Sequence, residues 1–411
     1  MTRSTKSFLF AVAFVFAAPA FADDIAVRAG MLYPVSSAPI ENGVIIIRDG
    51  KIAEVGSADS ITIPDGMQVV EAAVATPGLI DAHSVVGLAG YLNQPGDQDQ
   101  LERSEAIQPE LRAIDAYNAR ETLLEWVRGY GVTTVHTGHA PGEIIAGQTL
   151  IAKTAGDTVE EAVIKPVAMV AATLGEGVVV RSGGARTSPG NRSKAIAMLR
   201  AELVKAQSYR DKFVAASNDD EKDAPDRDLR MEALAAVLAG ETPLLITVHR
   251  HNDIMSALRI AAEFDINVVL DGAAESYLLI DEIKAAGVPV ILHPTMARAS
   301  GEKENLSFNT AAILIAAGIP VAFQSGYESY VPKTRVVLFE AAVTLPYGVS
   351  FAQALAAVTI ESANILGVAD RVGSLEVGKD GDLALYDGDP FEYTSHAVGT
   401  IIEGVMVSQS E

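Results

Sequence analysis

The sequence predicts an α/β fold: a (β/α)8 TIM barrel over residues 76–366, flanked by short-strand segments at residues 23–75 and 367–411. Three observations predict it. Through the centre, short β-branched runs alternate with helical stretches, the pattern of a parallel sheet covered by helices. Both ends of the chain consist instead of short strands and turns. The length of 411 residues suits one large barrel plus a small module. A doubly wound open sheet is the alternative, but no glycine-rich phosphate fingerprint follows an early strand.

Taken in order, residues 1–22 read as a secretory signal. Arg3 and Lys6 make a basic start, Phe8 to Phe16 is a short apolar run, and Ala20-Phe21-Ala22 supplies a small-x-small cleavage pattern. The run is short for a membrane span of ~20 residues. The expectation is an exported protein, periplasmic or secreted. Ile25–Ala29, Gly43–Ile47 and Lys51–Val55 follow as strands, the last two joined by a turn at Asp49-Gly50. In the barrel region Val132–His136 follows a helix around Ala116–Arg128, and Lys194–Val214 is a long helix. Strand-then-helix pairs then recur: Leu244–Val248 with Asp253–Glu263, Asn267–Leu270 with Tyr277–Ala286, Val288–Leu292 with Thr310–Ala317, and Ile319–Phe323 with Thr334–Thr344. Ser217–Asp228 reads as a solvated acidic helix end or loop.

Composition excludes several function classes. Removing the signal takes the net charge from −22 to −24, which argues against nucleic acid or anionic membranes as partners. The chain has no cysteine, hence no disulfide framework and no thiol nucleophile. A metal site would have to use His, carboxylate or lysine.

The stretch Thr76-Pro77-Gly78-Leu79-Ile80-Asp81-Ala82-His83-Ser84-Val85 resembles the first barrel strand of the amidohydrolase superfamily, which normally ends in His-x-His. Gly373–Leu383 resembles that family's closing segment, which implies that residues 23–75 and 367–411 pair in a small composite β-sandwich beside the barrel; the likeness covers essentially the whole mature chain, closest to its imidazolonepropionase-related branch. The resemblance implies hydrolysis of C–N bonds in small cyclic amides, amidines or dipeptides, with a divalent metal such as zinc or manganese. It also implies ligands on the first strand (His-x-His), the fourth (Lys or Glu), the fifth and the sixth (His), and a catalytic Asp on the eighth. Residue by residue, His83 matches and its partner position is Val85. Gly147–Thr154 resembles a segment leading to a strand, where Lys153 is either a bridging lysine or a solvated one. The sixth-strand histidine position is Gly272 and the eighth-strand aspartate position is Gly326.

Among the remaining candidates, His249 and His251 follow Leu244–Val248. If that strand continues they face one side, because side chains alternate, and they pair with His83 as metal ligands or serve as ordinary polar residues. His136 and His139 are either a relocated metal pair or loop histidines. His293, after Ile291-Leu292, binds substrate or metal or is a fixed loop residue. Arg181 and Arg186, in a glycine-rich loop before a helix, either hold a substrate anion or belong to a capping turn. Asp271, Glu275 and Glu328 read as helix-start or loop carboxylates. Two functions follow. One is a hydrolase with a rearranged, mononuclear site. The other is a catalytically inactive relative serving as a binding or assembly subunit, alone or with an intact paralogue.

Overall fold

A computed structural model describes residues 24–92, 94–180, 188–219, 223–293, 299–327 and 336–409. The signal segment, Arg181, Arg186 and Glu328 lie outside them.

Seven strands form one sheet from both chain ends. β1 (Ile25–Leu32), β2 (Ile40–Arg48), β3 (Lys51–Ser57) and β4 (Gln68–Pro77) precede the central region. The central strands are β5 (Leu79–Ser84), β6 (Val132–Thr137), β7 (Ile145–Gln148), β8 (Leu150–Lys153), β9 (Val163–Lys165), β10 (Val170–Thr173), β11 (Leu244–Val248), β12 (Val268–Gly272), β13 (Val290–Leu292) and β14 (Val321–Phe323). The chain then returns to the terminal sheet with β15 (Leu383–Tyr386), β16 (Ala397–Ile402) and β17 (Val405–Gln409), in the order β17-β16-β15-β4-β1-β2-β3. Alternate residues, among them Ile25, Val27, Ile45, Ile47, Leu383, Leu385 and Ile401, build its own apolar core.

The central strands make two ladders, β14-β13-β12-β11-β10-β7 and β5-β6-β8-β9. From β10 to β14 every neighbour is parallel. The expectation of an all-parallel sheet fails at β7 and β8: β7 runs antiparallel to β10, and β8 antiparallel to β6. The cause is connection length. The short link from Thr137 to Ile145 has no room for the crossover helix a parallel return requires. β7 and β8 are consecutive around Thr149, which joins the ladders on that side. On the other, the Ser325 amide donates to Asp81 Oδ1 (2.9 Å) and that of Gly326 to the His83 carbonyl (3.3 Å).

The period of two on each strand sorts the cores. Ile80, Ile151, Leu245, Val269, Ile291 and Ala322, drawn from both ladders, pack in one cluster. Their neighbours Leu244, Ile246, Val268, Leu270, Val290 and Phe323 pack with the surrounding helices instead. Each fully buried aliphatic side chain contributes about 1.5–3 kcal/mol. Some helices begin at a side-chain cap: Asn191 Oδ1 accepts from the Lys194 amide (2.9 Å) at the head of Arg192–Ser217.

Candidate active site

The polar residues at the strand ends follow from the same alternation. Thr247, Asp271, His293 and Gln324 each lie two positions beyond an inward apolar residue, namely Leu245, Val269, Ile291 and Ala322. They therefore form the next layer, above the apolar one. On β5 the pairing with β6 slips between Asp81 and Ser84, and His83 joins this layer.

Asp271 is its centre. His83 Nδ1 lies 3.0 Å from Asp271 Oδ1, Gln324 Nε2 donates to the same oxygen (2.6 Å), and Thr247 Oγ1 donates to Oδ2 (2.5 Å). Burial alone would raise the Asp271 carboxyl, but the His83 charge and these bonds hold it down at about 2. Burial alone would lower the His83 imidazole, and Asp271 more than compensates, so its pKa is raised. The carboxylate fixes one ring nitrogen; His83 Nε2 is buried, faces the His139 backbone and has no hydrogen bond of normal geometry among the described residues. Asp81 accepts from the Ser325 and His83 amides, yet burial still pushes its pKa up to about 6.

The other histidines divide by use. Both ring nitrogens of His136 are engaged, Nδ1 with the Ala82 carbonyl (2.6 Å) and Nε2 with Thr149 Oγ1 (2.7 Å), and burial depresses its pKa to about 3. His139 is buried and its pKa is pushed down to about 4. His249 stands over Gly272: a Cβ there would meet His249 Cε1 at 2.5 Å. Burial lowers the His249 pKa to about 3, and its Nδ1 is buried without a partner. His293 Nε2 lies 3.0 Å from the Ser325 carbonyl, and its ring covers Gly326 so closely that a Cβ there would overlap it. Both glycines have positive φ, +75° and +74°, which already disfavours a side chain.

Two expectations need correction. β11 ends at Val248, and His251 is the first residue of the helix His251–Phe264, so it shares no strand face with His249. Its Nδ1 lies 2.7 Å from Glu275 Oε2, with its side chain 58% exposed. Glu275 thus caps that helix rather than serving only its own loop. Lys153 is neither solvated nor directed at the histidines. It is 4% exposed, and its Nζ pairs with Asp380 Oδ2 (2.8 Å) and with Asp382, tying β8 to the terminal sheet.

The residues that would complete a family metal centre do not assemble. Among the described residues no group of three or more His, Asp or Glu is arranged to hold an ion. Val85 packs with Ala89 and Ala140, His136 has spent both ring nitrogens, and imidazoles cover Gly272 and Gly326. A catalytic zinc site takes three protein ligands. His83 Nε2, His249 Nδ1 and both ring nitrogens of His139 have no hydrogen-bond partner among the described residues, but no three such groups are arranged around one point, and Asp271 is saturated. What the arrangement offers is a carboxylate–imidazole pair with a free nitrogen, beside a neutral imidazole.

Sequence reasoning passed over Asp81 and Gln324 and read Asp271 as a helix-start or loop carboxylate. The usable signal was the strand period, which places Thr247, Asp271 and Gln324 two positions beyond an inward apolar residue.

The profile of the amidohydrolase family matches residues 90–408. The amidohydrolase tasK of Hapsidospora irregularis is 25% identical over 396 residues, 89% of this chain but 39% of that protein, so the chain spans about two fifths of that relative's length. Imidazolonepropionase of Thermoplasma volcanium is 25% identical over 382 residues, 87% of this chain and 88% of its own. An amidohydrolase structure from Thermotoga maritima superposes with a TM-score of 0.88 at 28% identity, covering 94% of this chain and 100% of its own.

Proposed function

The chain belongs to the amidohydrolase family, and we propose that it hydrolyses a C–N bond in a small cyclic amide or peptide-like substrate at the face where β5 and β10–β14 end. We read the two central ladders as one barrel, supported by the cluster of Ile80, Ile151, Leu245, Val269, Ile291 and Ala322 that both supply, and we propose export, periplasmic or secreted, on the signal-like residues 1–22 alone. Active sites of such barrels lie at the strand C-termini. The imidazolonepropionase relatives support a cyclic amide as substrate class.

One observation carries the chemistry: His83 Nδ1 is held by Asp271 at 3.0 Å, while its Nε2 is buried, faces the His139 backbone and makes no hydrogen bond of normal geometry among the described residues. The family usually works with a divalent metal, but the residues here do not fit its ligand set, and the mechanism is built from the chain alone. At pH above the raised pKa of His83, Asp271, kept ionised by Thr247 and Gln324, holds the proton on Nδ1 and presents the Nε2 lone pair. Water adds to the amide carbon as its proton passes to Nε2. The C–N bond then breaks as Nε2 returns that proton to the departing nitrogen, and Asp271 stabilises the imidazolium between the two steps. His249, neutral near pH 7, is placed to hydrogen-bond the substrate carbonyl.

The test is Asp271→Asn, assayed on hydantoin, dihydrouracil and X-Pro dipeptides. The expected result is a loss of kcat of about 10²–10⁴-fold with the fold retained. Unchanged kcat in a folded variant would remove the pair from the mechanism.

A further inference from the structure

The parallel ladder between β5 and β6 carries a bulge beside the site. Asp81 pairs with Val135 and Ser84 with Thr137, so Ala82 and His83 stand together opposite the single residue His136. A bulge leaves an extra residue outside the ladder and re-aims the side chains around it. Ile80 and Ala82 both pack in the inner apolar cluster, and strict alternation would turn His83 to the opposite face. The extra residue instead brings the His83 ring round to Asp271, at 3.0 Å.

Side chains satisfy the backbone groups that the bulge releases. Asp81 Oδ1 accepts from the His83 amide (3.3 Å), and His136 Nδ1 donates to the Ala82 carbonyl (2.6 Å). The same Asp81 oxygen accepts from the Ser325 amide (2.9 Å), just past β14, next to the bond from the Gly326 amide to the His83 carbonyl (3.3 Å). No ladder joins β14 to β5 among the described residues, so one carboxylate oxygen ties the bulge to the neighbouring strand end. Asp81 is only 2% exposed, and a buried amide that loses its acceptor has no water to replace it.

We infer that Asp81 is a positioning residue: by holding the bulge at Ala82-His83 against the end of β14, it turns the His83 ring into line with Asp271. The role in turnover rests on the hydrolytic reading; the placement of the ring does not. An amide oxygen at the same point would hold both backbone groups equally well, so position rather than charge is what Asp81 supplies.

Asp81→Asn keeps that oxygen and Asp81→Ala removes it. Each is read in two ways: by kcat and KM on the same cyclic-amide and dipeptide panel, and by the downfield proton resonance of His83 Nδ1–H, assigned by its absence in His83→Gln. Asp81→Asn should keep the resonance and stay within about tenfold of wild type in kcat. Asp81→Ala should lose the resonance and about 10²-fold in kcat, with KM within about threefold. If the alanine variant does not fold, Asp81→Ser takes its place, because its hydroxyl reaches the His83 amide but not Ser325; a loss of roughly tenfold in kcat with a broadened resonance is then expected. Resonances that follow this pattern, with no turnover even by wild type, would support the positioning role and overturn the hydrolytic reading alone. An unchanged resonance in the alanine variant, or in the serine variant standing in for it, would overturn the positioning role. So would losses in Asp81→Asn as large as those in Asp81→Ala.

Discussion

Replacing Lys153 by Met tests whether this lysine belongs to the architecture or to the chemistry. Its ammonium is buried and pairs with Asp380 and Asp382, with Glu403 at 3.9 Å. Burial alone would lower its pKa, but the two aspartates raise it, so the folded state carries the charge. Asp380 keeps other cations after the substitution, from Lys51 and from Arg371 at 2.9 Å. Asp382, 4% exposed, keeps among the described residues only the Glu403 amide, at 2.9 Å. Methionine preserves the apolar stem, so the cost is the orphaned carboxylate. Breaking a buried pair in this way costs about 3–5 kcal/mol. For a chain of this size that lowers Tm by roughly 4–6 °C. Adding Asp382→Asn removes the orphaned charge and should recover about 1–3 kcal/mol of the loss. Calorimetric scans of the three variants read this directly. A Lys153→Met protein with unchanged Tm but lost hydrolysis would refute the structural assignment and restore a role at the site.

Two further outcomes follow from the buried histidines and glycines. His136 is depressed to about 3 when folded, against an unfolded value of about 6.5, so the stability it supplies is fully present above pH 6.5 and is lost as pH falls. That loss is about 1.4 kcal/mol per pH unit, and urea midpoints of wild type and His136→Gln between pH 7.5 and 5 should converge accordingly; parallel curves would contradict it. Gly326→Ala forces a side chain into φ +74° and against the His293 ring, and should cost about 2–4 kcal/mol, partly recovered in Gly326→Ala/His293→Ala. Additive losses would show that the ring does not press on the glycine.

The sequence made the fold legible wherever apolar runs and turns alternate, because that pattern reports burial directly. It misled at β7 and β8, where the short link after Thr137 decides direction and the strands themselves look ordinary. Val85, Gly272 and Gly326 marked the altered centre, but nothing local shows that His249 and His293 stand over two of them, since those contacts join separate strand ends. His251 was misplaced by extending β11 three residues past its end, where the helix His251–Phe264 had already begun. Lys153 was unreadable because its aspartates lie more than 200 residues away. Asp271 looked like a loop carboxylate, and only its three partners identify it as the centre of the site.

The most direct test is turnover of the cyclic-amide panel by the purified mature protein after exhaustive chelation, with metal content measured on the same sample, beside His83→Gln treated identically. Retained turnover in the wild type, with a loss of about 10²–10⁴-fold in His83→Gln, is the predicted result. Turnover that vanishes with the metal and returns on adding zinc or manganese would contradict a site built on the His83–Asp271 pair alone.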